Sequence, residues 1–514
     1  MNTPFIHVFA SPIEKYVYDV NTNAIIKINN NVFTYLENIE YEENLEIALE
    51  KTKAELKPEE LADTLEYFEM AKEKGLFSSK RARKIEHPNL NIYDDLSNSY
   101  MHQLILQITQ NCNLRCEYCP YSGIKYNDRT HNNRSMSEAT GKKAIDFFLE
   151  RTIDSPSVDL GFYGGEPLLE FELIQKLVAY FETKFQGKDY TFSLTTNGTL
   201  LTEDKIRYFA EKNFQLLVSL DGPKYVHNRS RCFVSGAGSH DKVIEGIKLA
   251  EKIVPEYTKE KIHINAVLTE ESNFCSINEF FTSYDSIKDL TMMASVVSDV
   301  NLKEEYQKEE DQTTQAKKAF NEEIEYEMFK YYLAKTGRPV RYSPIVKDWE
   351  NGTLEQLRRK RIQFNGLHDQ LHPSGPCIPG VFRIFITVDE KIYPCERLCE
   401  KGDTCTMGTL DQGIDKAKAC SFLNIGELTE KQCLDCWAWL YCSACLLQAN
   451  DPEKNQLTAS KRLSFCNQNK ANAEAELLRL CTLKEFGISD NNNDNIWEVD
   501  EVATTSDDLS LLKG

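Results

Sequence analysis

Short alternating apolar segments open the chain and then give way to helical periodicity. The pattern predicts strands at 4–10, 15–20 and 24–28, followed by helices near 31–38, 43–51 and 58–74. Pro58 in the first turn and Gly75 at the stop mark the third helix, whose Leu61, Leu65 and Phe68 share one face. Together with a basic linker ending at Pro88, residues 1–90 are expected to form a winged-helix-like unit.

Strand and helix patterns alternate between residues 100 and 300. Six strands are predicted at 103–109, 158–163, 191–195, 215–220, 262–268 and 290–297. Amphipathic helices at 137–151, which Ser137 is placed to cap, and at 241–252 lie between them. This alternation predicts an α/β region with a parallel sheet and right-handed crossovers. Six units fall short of a full eight-fold barrel, and the pattern alone also permits a doubly wound sheet.

The remaining chain divides by composition into three parts. Residues 301–376 are charged and helical, clearest at 315–334, and are interpreted as a bridge. Residues 377–470 are rich in cysteine. Residues 471–514 predict a helix to about 484 and then an acidic tail rich in Asn and Ser, whose low hydrophobicity predicts disorder.

Charge and cysteine usage narrow the class of protein. The 514 residues carry a formal net charge of −20, which disfavours nucleic-acid binding because no excess of cations exists to neutralise phosphates. No apolar run is long enough to span a bilayer, and the N-terminus lacks the basic and apolar parts of a secretory signal. A cytoplasmic protein without a membrane partner is expected. Sixteen cysteines in a reducing compartment then indicate metal binding or catalysis.

One loop carries three of these cysteines at close spacing. Cys112, Cys116 and Cys119 follow the first predicted strand of the α/β region and can all turn toward one metal centre. Soft thiolates favour iron–sulfur clusters, zinc or copper(I). Zinc would usually take four ligands, and no fourth Cys or His stands at a matching local offset. Three cysteines on a cubane leave one iron open, as radical chemistry from S-adenosylmethionine requires.

This loop resembles the Cys-x3-Cys-x2-Cys signature of radical SAM enzymes, with Tyr118 in the aromatic slot before the third cysteine. The resemblance implies a partial (β/α)6 TIM barrel over residues 100–300, with the active site at the C-terminal ends of its strands. It also implies a [4Fe–4S] cluster on the three cysteines and S-adenosyl-L-methionine on its open iron.

The resemblance further implies cofactor contacts on the loops that follow the strands. Tyr118 and Val267 are expected beside the adenine, and Gly164-Gly165-Glu166-Pro167 at the methionine amino group. Hydroxyl and amide groups of Ser193, Asn197 and Ser219 are further contacts, and Arg231 is expected to pair with the cofactor carboxylate. An ordinary turn at Asn197-Gly198 and a plain core role for Val267 remain alternatives. Asn228 departs from the family pattern, which usually has an aspartate there.

A second group of cysteines matches the SPASM extension of radical SAM enzymes gap for gap. Family pairing assigns Cys433, Cys436, Cys442 and Cys466 to one auxiliary [4Fe–4S] cluster (auxiliary cluster II) and Cys377, Cys395 and Cys445 to another (auxiliary cluster I). The fourth iron of auxiliary cluster I is either open or capped by Cys399 or Cys405. Glu390 stands where the pattern usually has a glycine. Zinc is the rival interpretation of the Cys-x2-Cys-x5-Cys-x3-Cys run.

These resemblances predict a radical SAM/SPASM maturase of a ribosomally made peptide, with three [4Fe–4S] clusters. The N-terminal unit looks similar to precursor-recognition elements, which take the leader peptide as an added strand. The context of Cys377 and Cys395 resembles maturases that form sulfur-to-carbon thioether bonds after hydrogen abstraction by a 5′-deoxyadenosyl radical, with flavodoxin or ferredoxin as electron donor. Carbon–carbon cyclisation, epimerisation and sulfatase maturation remain open, and a non-catalytic iron–sulfur electron carrier is the alternative from another class. The sequence names no catalytic base.

Overall fold

The computed structural model describes residues 3–124, 130–185, 189–297, 300, 302–306, 310–362, 364–373, 377–400 and 402–488. The predicted acidic tail after 488 lies outside the described residues. No described helix combines the length and apolar character needed to cross a bilayer.

The N-terminal region is a three-stranded antiparallel meander followed by three helices, as the sequence pattern predicts. Its elements are β1 (Ile6–Ala10), β2 (Lys15–Asp19), β3 (Ala24–Ile28), α1 (Asn30–Glu42), α2 (Leu45–Glu55) and α3 (Pro58–Glu73). The strand order β1-β2-β3 places β2 in the centre. Asn29 and Asn44 cap α1 and α2 through their side chains, which explains where those helices begin. The helices pack on one face of the sheet around Val17, Ile26 and Leu36.

The central region alternates strands and helices after a short connector. The connector and barrel elements are β4 (Lys84–Ile85), α4 (Tyr93–Ser99), β5 (Gln103–Thr109), β6 (Leu114–Cys116), α5 (Glu138–Leu149), β7 (Ser157–Gly164), α6 (Phe171–Lys184), β8 (Asp189–Thr196), α7 (Glu203–Glu211), β9 (Gln215–Ser219), α8 (Lys224–Ser230), β10 (Arg231–Phe233), α9 (His240–Ile253), α10 (Pro255–Lys261), β11 (Ile262–Leu268), α11 (Phe274–Ser283) and β12 (Thr291–Val296). Ser137 caps α5 as expected, accepting the N–H of Thr140.

Strand order distinguishes the two sheet architectures that the sequence permits. The six strands β5, β7, β8, β9, β11 and β12 are parallel neighbours in chain order. A doubly wound sheet would reverse direction at a switch point, whereas here every crossover moves the same way. The predicted six-stranded partial barrel is therefore confirmed. Its carboxyl strand ends lie together at one mouth.

The C-terminal region extends the barrel sheet, which the sequence did not predict. Its elements, with those of the preceding bridge, are α12 (Glu310–Lys335), α13 (Pro344–Lys360), β13 (Gln370–Leu371), β14 (Arg383–Ile386), β15 (Lys391–Tyr393), β16 (Gly408–Thr409), β17 (Gly413–Ile414), α14 (Lys416–Leu423), α15 (Glu430–Cys433), α16 (Leu446–Ala449), β18 (Asn450–Asp451), β19 (Gln456–Leu457), α17 (Ala459–Leu463) and α18 (Cys466–Glu485). Strand β14 pairs in parallel with β5, and the antiparallel strands β15, β16 and β17 continue the sheet outward.

The bridge covers the opposite edge of this sheet. Helices α12 and α13 pack on each other, and α13 packs against β12. Trp349 of α13 donates its indole N–H to the Ala294 carbonyl of β12 at 2.7 Å. Because an open strand edge favours aggregation, this cover protects the last barrel strand. The predicted helix at 315–334 is part of α12, and α13 lies in the remainder of the stretch that was expected to be helical, although its bounds were not predicted.

The N-terminal sheet packs its second face on the cysteine-rich region. A buried apolar cluster joins Phe9, Tyr16 and Tyr18 to Tyr441 and to Leu477 of α18. Outside that cluster, the His7 ring stacks on Trp437 with centroids 3.7 Å apart, and the Ser11 and Tyr16 hydroxyls both donate to Glu485 at 2.6 Å. The two ends of the chain therefore share one core.

Candidate functional site

The cysteine loop lies at the mouth of the barrel. β6 runs through Cys116 and pairs with β10, which places Arg231 opposite Cys116. Backbone N–H groups of Leu114 and Tyr121 donate to the sulfurs of Cys112 and Cys119, each at 3.4 Å. Such donors stabilise thiolates on iron, so the loop fits a bound cluster.

Burial makes these thiols poor acids without a metal. Burial is the main cause that raises the pKa of Cys112 to about 11, with a smaller contribution from Cys119, and the pKa of Cys116 to about 12, with smaller contributions from Cys119 and Cys112. A metal centre that takes the thiolate form would remove this penalty.

The sulfurs are not arranged around a single ion. Among the described residues, no three His, Cys, Asp or Glu side chains lie close enough together to hold one metal ion. Ligands of one zinc ion all lie about 2.3 Å from it, whereas the cysteines of a cubane bind separate irons and their sulfurs lie farther apart.

The glycine pair after β7 lets two loops of the barrel mouth approach each other. The N–H of Gly165 donates to the Thr109 carbonyl at 2.7 Å, and the N–H of Glu166 donates to the Asn111 carbonyl at 2.8 Å. A Cβ on Gly164 would lie 2.2 Å from the Thr109 oxygen, and one on Gly165 would lie 2.0 Å from the Asn111 oxygen. The sequence suggested that the glycines make room for a ligand, and the structure shows that they also make room for the strand end that carries Cys112.

Glu166 is fully buried and holds two strand-end loops together. Its carboxylate accepts the Leu168 N–H at 3.0 Å, the Thr196 hydroxyl at 2.7 Å and the Asn197 N–H at 2.8 Å. Desolvation nevertheless leaves its pKa raised above the usual value. Pro167 begins the short 3-10 helix that follows. These bonds join the loops after β7 and β8.

Asn197 connects the loop after β8 to the cysteine loop. Its Nδ2 donates to Asn113 Oδ1 at 2.8 Å and lies 3.8 Å from the sulfur of Cys112. Asn113 in turn donates to the Thr199 hydroxyl at 2.8 Å. Gly198 has a φ of +74°, so a turn is present as well. The sequence did not identify Asn113, because a lone Asn between cysteines has no recognisable pattern.

A buried ion pair lies beside Cys116. Arg231 donates from Nε to Asp221 Oδ2 at 2.8 Å, and both side chains are nearly inaccessible. The same carboxylate accepts the Tyr118 hydroxyl and the Val267 N–H, and the guanidinium lies 5.2 Å from the centre of the Tyr118 ring. Attraction to Asp221 raises the pKa of Arg231 against the effect of its burial. Tyr118, Arg231 and Val267, which the sequence predicted near one cofactor, are thus held together by Asp221, which was not among the predicted site residues.

The other two predicted contacts lie at different depths in the barrel. Ser219 ends β9 and is buried. Ser193 lies three residues before the end of β8, and its hydroxyl donates to Asp159 of β7 at 2.7 Å.

Comparison with known proteins agrees with this geometry. Residues 106–281 match the model of the Radical SAM superfamily. This segment is a radical SAM domain. The chain is similar to the cysteine-type anaerobic sulfatase-maturating enzyme of Clostridium novyi (31% identical over 163 residues, 30% of this chain and 42% of that protein). It is similar to the serine-type enzyme of Bacteroides thetaiotaomicron (33% over 142 residues, 27% and 34%).

The radical SAM fold extends beyond this segment. The solved structure of native anSMEcpe with bound AdoMet and Kp18Cys peptide superposes with a TM-score of 0.55 at 20% identity, over 74% of this chain and 99% of that chain. The chain spans less than half the length of the curated relatives named above. A radical SAM domain implies S-adenosylmethionine and a [4Fe–4S] cluster, and the cysteine loop at its mouth fits that cluster.

Outside the radical SAM domain, four cysteines line one cavity of about 180 Å³ in the C-terminal region. They are Cys433, Cys436, Cys442 and Cys466, the set that family pairing assigned to auxiliary cluster II. The Thr429 hydroxyl lies 3.2 Å from the sulfur of Cys433. Burial raises the pKa of Cys436 to about 11. Four thiols around one interior space fit a cluster ligated entirely by cysteine.

The other auxiliary cysteines are only partly brought together. Burial raises the pKa of Cys395 to about 11, and neighbouring Cys445 raises it further. Cys377 is exposed. Cys399 and Cys405 are both buried, and Cys405 lies close to Cys395 and accepts the Cys399 N–H on its sulfur. Both proposed caps are therefore buried, and Cys405 lies close enough to the half-buried Cys395 to interact with it electrostatically.

Glu390 retains the backbone shape of the glycine that it replaces. Its φ is +63°, in the left-handed region that glycine favours. The Glu390 carboxylate accepts hydrogen bonds from the ammonium of Lys143 at 2.5 Å and from the hydroxyl of Thr140 at 3.1 Å, and both residues lie on α5. These contacts offset a conformational cost of about 1 kcal/mol. The hairpin before Cys395 thus keeps its turn and is fastened to the barrel.

A carboxylate from the C-terminal region also reaches the barrel mouth. The Glu400 carboxylate accepts a hydrogen bond from Gln107 Nε2 at 2.7 Å, and the same amide nitrogen donates to the Tyr121 hydroxyl at 2.9 Å. A hydrogen-bonded path therefore joins the cysteine loop to the segment that carries Cys395 and Cys399. Sequence reasoning missed Glu400, because its partner on β5 is nearly three hundred residues away.

Proposed function

We propose that the protein is a radical SAM maturase of a ribosomally made precursor peptide, and that it joins cysteine sulfur to carbon in thioether crosslinks. The observation that carries the proposal is the N-terminal sheet, which offers one strand edge to an extended peptide and packs on the cysteine-rich region. About a quarter of this chain has no counterpart in the superposed structure, so the chain has room for a substrate-recognition unit.

The two edges of the N-terminal sheet differ. On β1, the N–H of Val8 donates at 2.8 Å to the Glu40 carboxylate, which also contacts His7. On β3, no backbone group from outside the sheet bonds to residues 25–27 within the described part of the chain. An added strand needs backbone donors and acceptors that are still available. The leader peptide is therefore proposed to bind along β3.

The register identifies the donors on β3. Because the Val8 N–H points away from β2, its opposite residue Val17 must bond toward β3, where it pairs with Ile26. The N–H groups of Ile25 and Lys27 therefore point outward. Lys27 is the better residue for a test, since its side chain is half-buried whereas that of Ile25 is fully buried.

The chain's own residues would hold the cofactors and exclude water. Cys112, Cys116 and Cys119 would hold the cluster that binds S-adenosylmethionine, and Asn113 and Asn197 fix the loop that carries them. When bound, these cofactors would supply radical hydrogen abstraction from the substrate, and the seven C-terminal cysteines would hold auxiliary clusters able to accept an electron. Enclosure by the barrel strand ends orients the peptide and shields it from water. Flavodoxin or ferredoxin is the proposed donor of the first electron.

A second candidate function is maturation of a sulfatase. It is favoured by the similarity to cysteine-type and serine-type anaerobic sulfatase-maturating enzymes. Such a substrate has no need of a separate leader site. Dependence on β3 therefore distinguishes the two candidates.

The test is co-expression with a Cys-rich precursor peptide, followed by mass spectrometry under anaerobic handling. Thioether formation is supported if the peptide mass decreases by two hydrogens per crosslink and the cysteine thiols no longer react with an alkylating reagent. Lys27→Pro removes an outward donor and is expected to abolish modification, whereas Lys27→Ala keeps the N–H and is expected to retain it. Equal modification by both variants contradicts leader binding on β3. Failure to form 5′-deoxyadenosine from S-adenosylmethionine and dithionite would favour an electron carrier instead.

A further inference from the structure

Two buried hydrogen-bond donors at the four-cysteine cavity have no acceptor among the described residues. Arg462 is 2% exposed and lines the cavity. Its Nε donates to the Thr429 hydroxyl at 3.0 Å, but Nη1 is buried without a partner. The indole Nε1 of Trp439, which also lines the cavity, is buried and unpartnered as well.

An unpaired guanidinium in a protein interior is costly. Leaving a buried charge without a partner destabilises a fold by several kcal/mol, as a rule about 3–5. The described residues that line the cavity include no Asp or Glu. The countercharge and the missing acceptors must therefore come from whatever occupies the space between the thiols.

A cluster ligated by four thiolates meets these requirements. It is an anion, and its sulfurs accept hydrogen bonds. Arg462 lies close enough to Cys442 and Cys466 to interact electrostatically with both. We propose that Arg462 donates from Nη1 to a sulfur of auxiliary cluster II and that, with Trp439 Nε1, it raises the reduction potential of that cluster. This proposal rests on the cluster content assumed in the proposed function.

The direction of the effect follows from charge. Reduction adds a negative charge to the cluster, so a nearby cation and N–H donors favour the reduced form. Lys470 provides a matched comparison, because it lines the same cavity with the same charge but is exposed to solvent. Water and salt screen an exposed charge far more than a buried one.

The test is an anaerobic redox titration followed by electron paramagnetic resonance on the reconstituted full chain. Arg462→Gln is expected to retain wild-type iron and sulfide and to move one auxiliary midpoint potential to a more negative value. The expected shift is at least tenfold in the reduction equilibrium, which is 59 mV for one electron. Lys470→Gln is expected to move it much less. An Arg462→Gln protein with full iron and an unchanged potential overturns the proposal.

Two further variants keep the test decisive if Arg462→Gln loses iron. Arg462→Lys keeps the charge and is expected to retain the cluster, and Trp439→Phe removes only an N–H and is expected to give a smaller negative shift. Unchanged potentials in Trp439→Phe, together with iron loss in Arg462→Lys, would overturn the proposal. Wild-type protein that binds iron for only two clusters would also overturn it. A potential shift without peptide modification would instead support the role of Arg462 and contradict the proposed function.

Discussion

Two cysteine sites differ in how the buried polar side chains around them are paired. One is the cysteine loop of the radical SAM domain, and the other is the four-cysteine cavity of the C-terminal region. Around the loop, Glu166 accepts a hydrogen bond from the Asn197 N–H, and Arg231 forms an ion pair with Asp221. Each of these buried charges therefore has a protein partner. Around the cavity, Arg462 and Trp439 each retain a buried donor without one.

This difference separates a preformed site from one completed by its ligand. The barrel mouth is held by bonds within the protein, so its shape is expected to persist without cofactors. The cavity lies against the core shared by the N-terminal sheet and α18, and two of its buried donors have no acceptor within the described part of the chain. Iron should therefore contribute to stability mainly in the C-terminal region.

Removal of iron is the largest expected test of this contrast. Trp437 lies between Cys436 and Cys442 in sequence and stacks on His7, so loss of the cluster should loosen the N-terminal sheet as well as α18. Hydrogen exchange in β1 and α18 is expected to become at least about tenfold faster, equivalent to about 1.4 kcal/mol, while β5 and β11 are unchanged.

A selective control is available for that experiment. Cys112→Ala should remove the first cluster only, with exchange in β1 as in wild type. Equal protection of β1 with and without iron would contradict the contrast between the two regions.

The Asp221→Asn substitution should break the preformed site itself. It leaves Arg231 buried beside a neutral side chain, at an expected cost of about 3 kcal/mol in the free energy of unfolding. Urea unfolding of the iron-free protein measures this. Asp241→Asn removes an exposed partner of Lys224 and should cost less than about 1 kcal/mol. Similar losses for the two variants would show that the Asp221–Arg231 pair has no special structural role.

Gly165→Ala should disturb the contact between the glycine loop and the cysteine loop. Its Cβ would lie 2.0 Å from the Asn111 carbonyl oxygen, so one of the loops must move, at about 1–3 kcal/mol. Thermal unfolding and iron content after reconstitution report the two effects. Gly352→Ala in α13, where the new methyl group meets nothing within 4 Å, should instead stabilise by about 0.5–1 kcal/mol. A Gly165→Ala protein with unchanged stability and full iron content would show that the glycine loop and the cysteine loop need not approach each other so closely.

A pH dependence of stability is expected from His227 in the barrel. Burial lowers its pKa to about 3, with Asp221, Arg231 and His240 as the charged or titratable neighbours. The unfolded chain protonates this ring near pH 6.5, so stability falls as the pH drops from 6.5 toward 3, by about 1.4 kcal/mol per pH unit. Above pH 6.5 the contribution is constant. His227→Gln should reduce the slope of unfolding free energy against pH, and an unchanged slope would assign the dependence to other groups.

Local patterns were sufficient to predict most of the barrel. The strands at 103–109 and 262–268 have the predicted bounds, because each is a short segment dominated by apolar residues and bounded by polar turns. Helix α13 lies within the stretch interpreted as helical, but its bounds were not predicted, because its charged composition hides the buried Ile345, Val346, Leu354 and Leu357. The pairing of β14 with β5 depends on a contact across nearly three hundred residues, and no local pattern encodes such a contact.

The candidate site was predictable where the spacing of residues carries the chemistry. Family pairing of the cysteines grouped the four residues that line the cavity, and the family resemblance placed Tyr118 and Arg231 beside one cofactor. Asp221, Glu400 and Arg462 were not identified as site residues. Their roles depend on burial and on distant partners, and a single Asp, Glu or Arg in a sequence gives no sign of either.

The parallel pairing of β14 with β5 has a consequence during synthesis. Arg383 of β14 and its partner Gln103 of β5 are 280 positions apart. At roughly 5–20 residues per second, a ribosome needs about fifteen seconds to a minute to cover that distance. Throughout that interval the first barrel strand has one side unpaired, a condition that invites association between nascent chains. Yield in the cell should therefore depend on chaperones that shield this strand until translation has passed residue 386.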